Sequence, residues 1–381
     1  MSQSMTASRI APRSTLVDRP AGHVQGLDGL RGLAAFMVVV SHTLIPNTDI
    51  GGLSVFLFFI LSGYLITHIL IRSREKIEAH RATILSELKR FWINRALRIF
   101  PAYYVWLGIF LIIDHIYYED QTIKHLVWYL IYAQNFLVAF KTHAWEDFTH
   151  TWSLAVEQQF YVFFAPLVLL VSCRRHVALF IATGVLALVI DTALMLAGAE
   201  MVTLYPVPAT GFIFMVAGSL LAKAPVTRLT VFTHPALVVA CLMLVVLLSA
   251  YPVFERNALV QVPYVVLIAV SATSLASLMA AILAAPDTWP VRLLETPLPR
   301  FFGRISYALY IIHLPVSLWM WDFGGMDDLA ALTHIPAEII CFGAVLAVSV
   351  PLAVLSYRFV EKPCLDLKRH AIRDREKTPH T

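Results

Sequence analysis

Charge is scarce in this sequence. Only 14% of its 381 residues are Asp, Glu, Lys or Arg, against 59% hydrophobic, and the mean hydropathy is +0.72. A soluble chain of this length could bury a large core, but it would not leave so little charge for its surface. Cysteine is sparse too: Cys173, Cys241, Cys341 and Cys364 show neither metal-ligand spacing nor a disulfide pattern. A Walker loop, a GxGxxG after a strand, a GxSxG elbow and an HExxH are all missing, which leaves phosphoryl, hydride and metal chemistry without support. Internal repeats, low-complexity tracts and Pro/Gly/Ser linkers are absent as well, so no separate soluble domain is expected.

What is abundant is apolar sequence in long windows, among them Phe56–Ile71, Val177–Leu196, Ala236–Tyr251, Val262–Ala285 and Ile339–Leu355. The expected fold is all-α, a polytopic membrane helix bundle with ten transmembrane helices near 27–46, 52–71, 97–116, 150–171, 177–197, 204–222, 235–251, 260–284, 301–321 and 336–357. One more helix over Ile123–Phe140 reads as interfacial or re-entrant on the outer side, because an eleventh span would invert every later loop. Residues 25–365 form one membrane domain between polar, disordered tails at 1–24 and 366–381. The first 25 residues lack an apolar h-region, so the first helix is expected to be an uncleaved anchor. The loop 72–96 reads as an amphipathic helix on the membrane surface.

The net charge of +4 would suggest nucleic acid in a soluble protein, but here its location decides. With ten spans, 26 of the 29 Lys and Arg fall on one side, leaving Lys124, Lys141 and Arg256 for the other. The positive-inside rule makes the first side cytoplasmic and places both termini there. The expected partners are therefore membrane lipids and no nucleic acid.

Several polar groups interrupt the apolar windows. Arg31 and His42 are eleven residues apart in GLDGLRGLAAFMVVVSHTLI, so they share one helix face about 16 Å apart along the axis. Ionisable groups inside a span are costly and face a bundle interior or a wet cavity. A neutral imidazole there can take a proton from a hydroxyl or attack an acyl carbonyl; the structural alternative is a boundary histidine bonded to a neighbouring helix. Arg95 and Arg98 lie three apart on one face in RFWINRALRIFP. They suit the phosphates of a nucleotide-bearing acyl donor such as coenzyme A, although inner-leaflet anchoring explains any single arginine. Glu157 opens an apolar helix in HTWSLAVEQQFY, and it could orient an imidazole, pair with an arginine or act as a base. Ser306, Tyr310 and His313 recur at spacings of four and three in FFGRISYALYIIHLP and form a polar stripe, with His313 either catalytic or a structural hydrogen bond near the Pro315 kink; Ser306, Tyr307 and His313 are secondary candidates. Ser62–Gly63 in FFILSGYLIT reads as a close-packing device. No metal ligand set is seen.

These motifs occur in an order that identifies a family. LDGLRGLAA, the Arg31–His42 spacing, FFILSGYLIT, the Arg95–Arg98 pair running into RIFPAYY, TWSLAVEQQFY, FGRISYALYIIHLPV and the closing SYRFVEKP together resemble the acyltransferase-3 family of integral membrane O-acyltransferases. The resemblance covers about residues 24–365. The family includes bacterial enzymes that acetylate O-antigens, exopolysaccharides and Nod factors. The resemblance implies cytoplasmic acyl-CoA as donor, usually acetyl-CoA, and an acceptor hydroxyl on a carbohydrate or glycolipid at the outer face of a bacterial inner membrane. It makes His42 the essential histidine, Arg31 its partner, and Arg95 with Arg98 the donor-binding pair. Gln158 stands where many members have a second acid, which shifts weight to Glu157. Some members carry a fused esterase-like domain; this sequence ends soon after Pro363, so action alone or with a separate partner is expected. The rival from another class is a transporter that exports a glycan or small anion, but it predicts repeats or paired broken helices. A non-catalytic scaffold would leave Arg31 and His42 without a use.

Overall fold

A computed structural model describes residues 24–118, 122–146, 148–250 and 264–367, and among them the regular structure is entirely helical. Ten longer helices form the bundle: α1 (Leu27–Thr43), α2 (Ile50–Glu78), α3 (Ile84–Tyr117), α4 (Trp152–Leu170), α5 (His176–Leu196), α6 (Pro208–Lys223), α7 (Pro235–Ser249), α8 (Tyr264–Ala284), α9 (Pro297–Phe323) and α10 (Ala337–Ser356). Each expected window coincides with one of them. The expected tails at 1–24 and 366–381 fall almost wholly outside the described residues, as do Tyr251 and the start of the 260–284 window.

Among the described residues the count of ten spans is not reached. There, seven helical stretches are long and apolar enough to cross a membrane, and an eighth qualifies only if α6 is joined to the following Val226–Thr233, bent from it by 120°. The reason is length. The 17 residues of α1 and the 15 of α7 reach only about 26 and 23 Å, short of a hydrocarbon core of about 30 Å. The segment from Ile123 to Thr142 is a string of short helical pieces, none long enough to span. The surface helix expected in 72–96 is not separate. Helix α2 runs on to Glu78, and α3 starts at Ile84 behind a capping box in which Thr83 and Ser86 satisfy each other's backbone N–H. The charged loop thereby extends two long helices.

Small residues set the spacing of the helices that carry the site. Gly32 on α1 lies against the backbone of Pro299 and Gly303 on α9, and Gly303 in turn lies against the backbone of Asp28. On α2, Gly63 abuts the backbone of Met215, while Gly218 of α6 abuts that of Ile60 and Tyr64. A Cβ at any of these positions would collide with main chain, so only glycine permits the approach. The larger core lies among α2, α3, α4, α6 and α8, and a smaller one among α1, α9 and α10. Apolar side chains such as Ile181, Leu186 and Val189 of α5 stay exposed, as expected of a multi-pass membrane protein's lipid-facing surface.

Candidate active site

Helix α1 connects two cavities that share the side chains of Val55 and Tyr310. The larger, of about 760 Å³, is lined by His42, Asp49, Trp145 and Trp152 among others. The smaller, of about 70 Å³, is lined by Arg31, Ser62, Glu157, Ser306 and Tyr307. Arg31 and His42 therefore each line one cavity, Arg31 half-buried at the smaller and His42 exposed to the larger.

At the larger cavity the imidazole of His42 is oriented by two partners. Its Nδ1 lies 2.9 Å from the carbonyl oxygen of Val38. A carbonyl only accepts, so Nδ1 carries the proton and Nε2 keeps its lone pair. Nδ1 also lies 3.3 Å from Nε2 of His313, and the two rings are 5.1 Å apart. His313 is fully buried. Its own Nδ1 is fixed 2.7 Å from the Tyr310 carbonyl, so its Nε2 is the acceptor facing His42. Tyr310 is held by its hydroxyl, which donates to the His150 carbonyl at 2.7 Å and lies 2.7 Å from Ser153 Oγ. Asp49 belongs to the connection between α1 and α2, and burial pushes its carboxyl up to about 7.

At the smaller cavity Glu157 accepts hydrogen bonds from Ser62 Oγ and from Tyr161 Oη, one turn further along α4. Three guanidinium groups gather on this side. Arg31 is within electrostatic reach of Arg98 and Glu157, and Glu361 is within reach of Arg31 and Arg98. The guanidinium of Arg95 lies near the rings of Phe91 and Tyr161, 6.0 Å from each centroid. The Nε atoms of Arg31 and Arg95 have no hydrogen-bond partner among the described residues. Buried guanidinium N–H groups without partners are costly, and they match an anion supplied from outside the protein. Ser306 bonds to the Gly303 carbonyl at 2.9 Å, and Tyr307 to that of Ile99 at 2.7 Å, so both hydroxyls act on backbone while their side chains line the cavity.

The structure thus brings Arg31, Arg95, Arg98, Glu157, Ser306 and Tyr307 to one end and His42 with His313 to the other. Glu157 does not contact His42; the ring partner is His313. Sequence reasoning missed three groups at the guanidinium end. Tyr161 follows Glu157 at helical i+4 spacing, a signal that was there to read. Ser62 sits beside the packing glycine Gly63 and was absorbed into the packing explanation. Glu361 lies in SYRFVEKP, where α10 continues through a wide turn over Tyr357–Glu361 that buries the carboxylate. Among the described residues no three His, Cys, Asp or Glu side chains converge to hold a metal.

Comparison with known proteins identifies the family of the chain. The profile of the acyltransferase-3 family, described as an acyltransferase domain, matches residues 24–355. Peptidoglycan O-acetyltransferase OatA of Listeria monocytogenes is 27% identical over 374 residues, which cover 90% of this chain and 56% of that protein. A Staphylococcus aureus protein provisionally named an O-acetyltransferase is 26% identical over 367 residues, 90% of this chain and 57% of its own length. YrhL of Bacillus subtilis, provisionally named a peptidoglycan O-acetyltransferase, is 26% identical over 369 residues, 90% of this chain and 55% of its own. The chain therefore spans little more than half the length of the curated relatives it matches. No solved structure matches it. On the family match over nearly all of the membrane bundle, this chain belongs to the acyltransferase-3 family and carries its acyltransferase domain.

Proposed function

We propose that the chain moves an acetyl group from cytoplasmic acyl-CoA to a carbohydrate hydroxyl on the far side of a bacterial inner membrane, with both of its termini in the cytoplasm. The observation that carries the reading is the tethered imidazole of His42, whose Nδ1–H is engaged by Val38 and His313 and whose Nε2 is free at a cavity of about 760 Å³. Arg95 and Arg98 bind the donor's phosphates, and Arg31 guides the acyl-bearing arm toward the gap between Val55 and Tyr310. His42 Nε2 then takes the proton of the acceptor hydroxyl as its oxygen attacks the thioester carbonyl. The C–S bond breaks, and the proton passes to the leaving thiolate. Glu157, held by Ser62 and Tyr161, balances the guanidinium charge. The names of the relatives support O-acetylation, and two of them name peptidoglycan.

The test is purified protein in nanodiscs with labelled acetyl-CoA and glycan acceptors. Transfer lost in His42→Ala supports the reading, and transfer unchanged in that variant overturns it. Exchange of labelled CoA into acetyl-CoA without acceptor would assign His42 the nucleophile's role instead, through an acyl-imidazole. Glycan movement without acyl transfer would replace the reading with export.

A further inference from the structure

The lining of the larger cavity carries an aromatic group that the transfer chemistry does not use. Trp152 and Tyr205 have ring centroids 4.9 Å apart, and Trp145 lies 6.4 Å from the first and 6.1 Å from the second. Trp152 and Tyr205 are buried and backed by Phe59 and Phe56 respectively. Trp145 is 43% exposed, so its ring is open to the cavity. A rigid, supported aromatic face of this kind suits the C–H face of a pyranose, which is apolar on its faces and polar at its rim.

Asp49 supplies the polar rim. It immediately precedes α2, where an aspartate ordinarily accepts a hydrogen bond from the helix's first N–H groups. Its side chain makes no such cap bond, and no described residue hydrogen-bonds it. Gly52 is what lets the carboxylate lie there: a Cβ at that position would meet Asp49 Oδ1 and the Tyr205 hydroxyl. The second carboxylate on the wall, Glu146, is paired with His125 at 3.3 Å. Among the described residues lining this cavity there is neither Lys nor Arg.

We infer that Trp145, Trp152, Tyr205 and Asp49 form the acceptor subsite, that it takes an uncharged sugar ring stacked on Trp145 with ring hydroxyls donating to Asp49, and that it disfavours acidic sugars. The inference rests on the proposed transfer to a carbohydrate. Asp49, with neither Lys nor Arg beside it among the described lining residues, repels a uronate, whereas a neutral N-acetylhexosamine presents only hydroxyl and amide groups.

The test titrates the full chain in nanodiscs with chitotetraose, a neutral oligosaccharide, and with tetragalacturonate, an acidic one, following tryptophan fluorescence and acyl transfer. Expected are binding of chitotetraose alone, and a rise of about tenfold in both its Kd and its KM in Trp145→Ala and in Asp49→Asn. Trp145→Phe is expected to recover most of the affinity. Trp319→Ala, which alters the separate apolar cavity, should leave binding at the wild-type level. No binding of chitotetraose at millimolar concentration, tighter binding of tetragalacturonate, or equal affinity in wild type and Trp145→Ala overturns the subsite. Trp145-dependent binding without any acyl transfer keeps the subsite and defeats the proposed function. Transfer that needs His42 but is indifferent to Trp145 does the reverse.

Discussion

Nε2 of His313 lies 3.3 Å from Nδ1 of His42, across the contact between α9 and α1. Because His313 Nδ1 is committed to the Tyr310 carbonyl, only one tautomer of each ring satisfies both contacts. His313 is thus a positioning residue for His42. Replacing His42 by alanine should lower kcat by about 10²–10⁴-fold. His313→Ala should cost less, on the order of tenfold to a hundredfold, with KM for acetyl-CoA unchanged. His313→Gln, which keeps an acceptor oxygen, should recover part of the loss. A purely structural role would instead show as a fall in detergent Tm parallel to the fall in kcat, with no recovery in the glutamine variant.

The guanidinium end makes a prediction that separates shape from charge. Arg95→Lys and Arg98→Lys keep the positive charge but lose the planar fork that grips phosphate in bidentate fashion. Each is expected to raise KM for acetyl-CoA by about tenfold and to change kcat little. With acetyl-dephospho-CoA, which lacks the 3′-phosphate, the penalty of the arginine that contacts that group should disappear. Steady-state kinetics with the two donors checks this. Equal affinity for acetyl-CoA in wild type and both variants would place the donor elsewhere.

Helix positions were legible in the sequence because apolar runs bounded by polar turns leave little choice of period. The number of spans was not, because α1 and α7 are largely apolar yet too short, and hydropathy windows blur length. Within the site, Arg31 and His42 were legible as a pair because both lie on one helix. The Glu157–Ser62 bond joins residues 95 apart on different helices, and nothing in either local pattern announces it. The same holds for His313 and His42, 271 residues apart. Local spacing reveals candidates; only packing shows which of them meet.

Glycine contacts between helices predict opposite outcomes at two positions. At Gly63 a side chain would run into the backbone of Met215, which cannot rotate away. Gly63→Leu should destabilise the bundle by about 1–3 kcal/mol, the usual penalty of overpacking. Gly108 on α3 has nothing within 4 Å of a Cβ. There Gly108→Ala should be neutral or stabilise by up to about 1 kcal/mol through helix propensity. Thermal unfolding in a single detergent measures both, and a Gly63→Leu variant as stable as wild type would contradict the close α2–α6 approach.

The last prediction concerns pH at the acceptor wall. Burial raises the Asp49 carboxyl from the ordinary carboxylate range to about 7. The folded state holds this proton more tightly than the unfolded one, so the group's contribution to stability falls as pH rises from about 4 to about 7 and is constant above that. Ligand binding runs the other way. The ionised form is the better acceptor of sugar hydroxyls, so KM for a neutral glycan should fall as pH rises through about 7 and then level off. Other titratable groups that face this cavity are His42, Glu146, His150, Tyr205 and Tyr310, so the pH profile alone does not identify the residue. Asp49→Asn does. It should flatten the pH dependence of glycan KM while leaving that of kcat, which follows His42, in place. A glycan KM whose pH profile is identical in wild type and Asp49→Asn would remove Asp49 from the acceptor site.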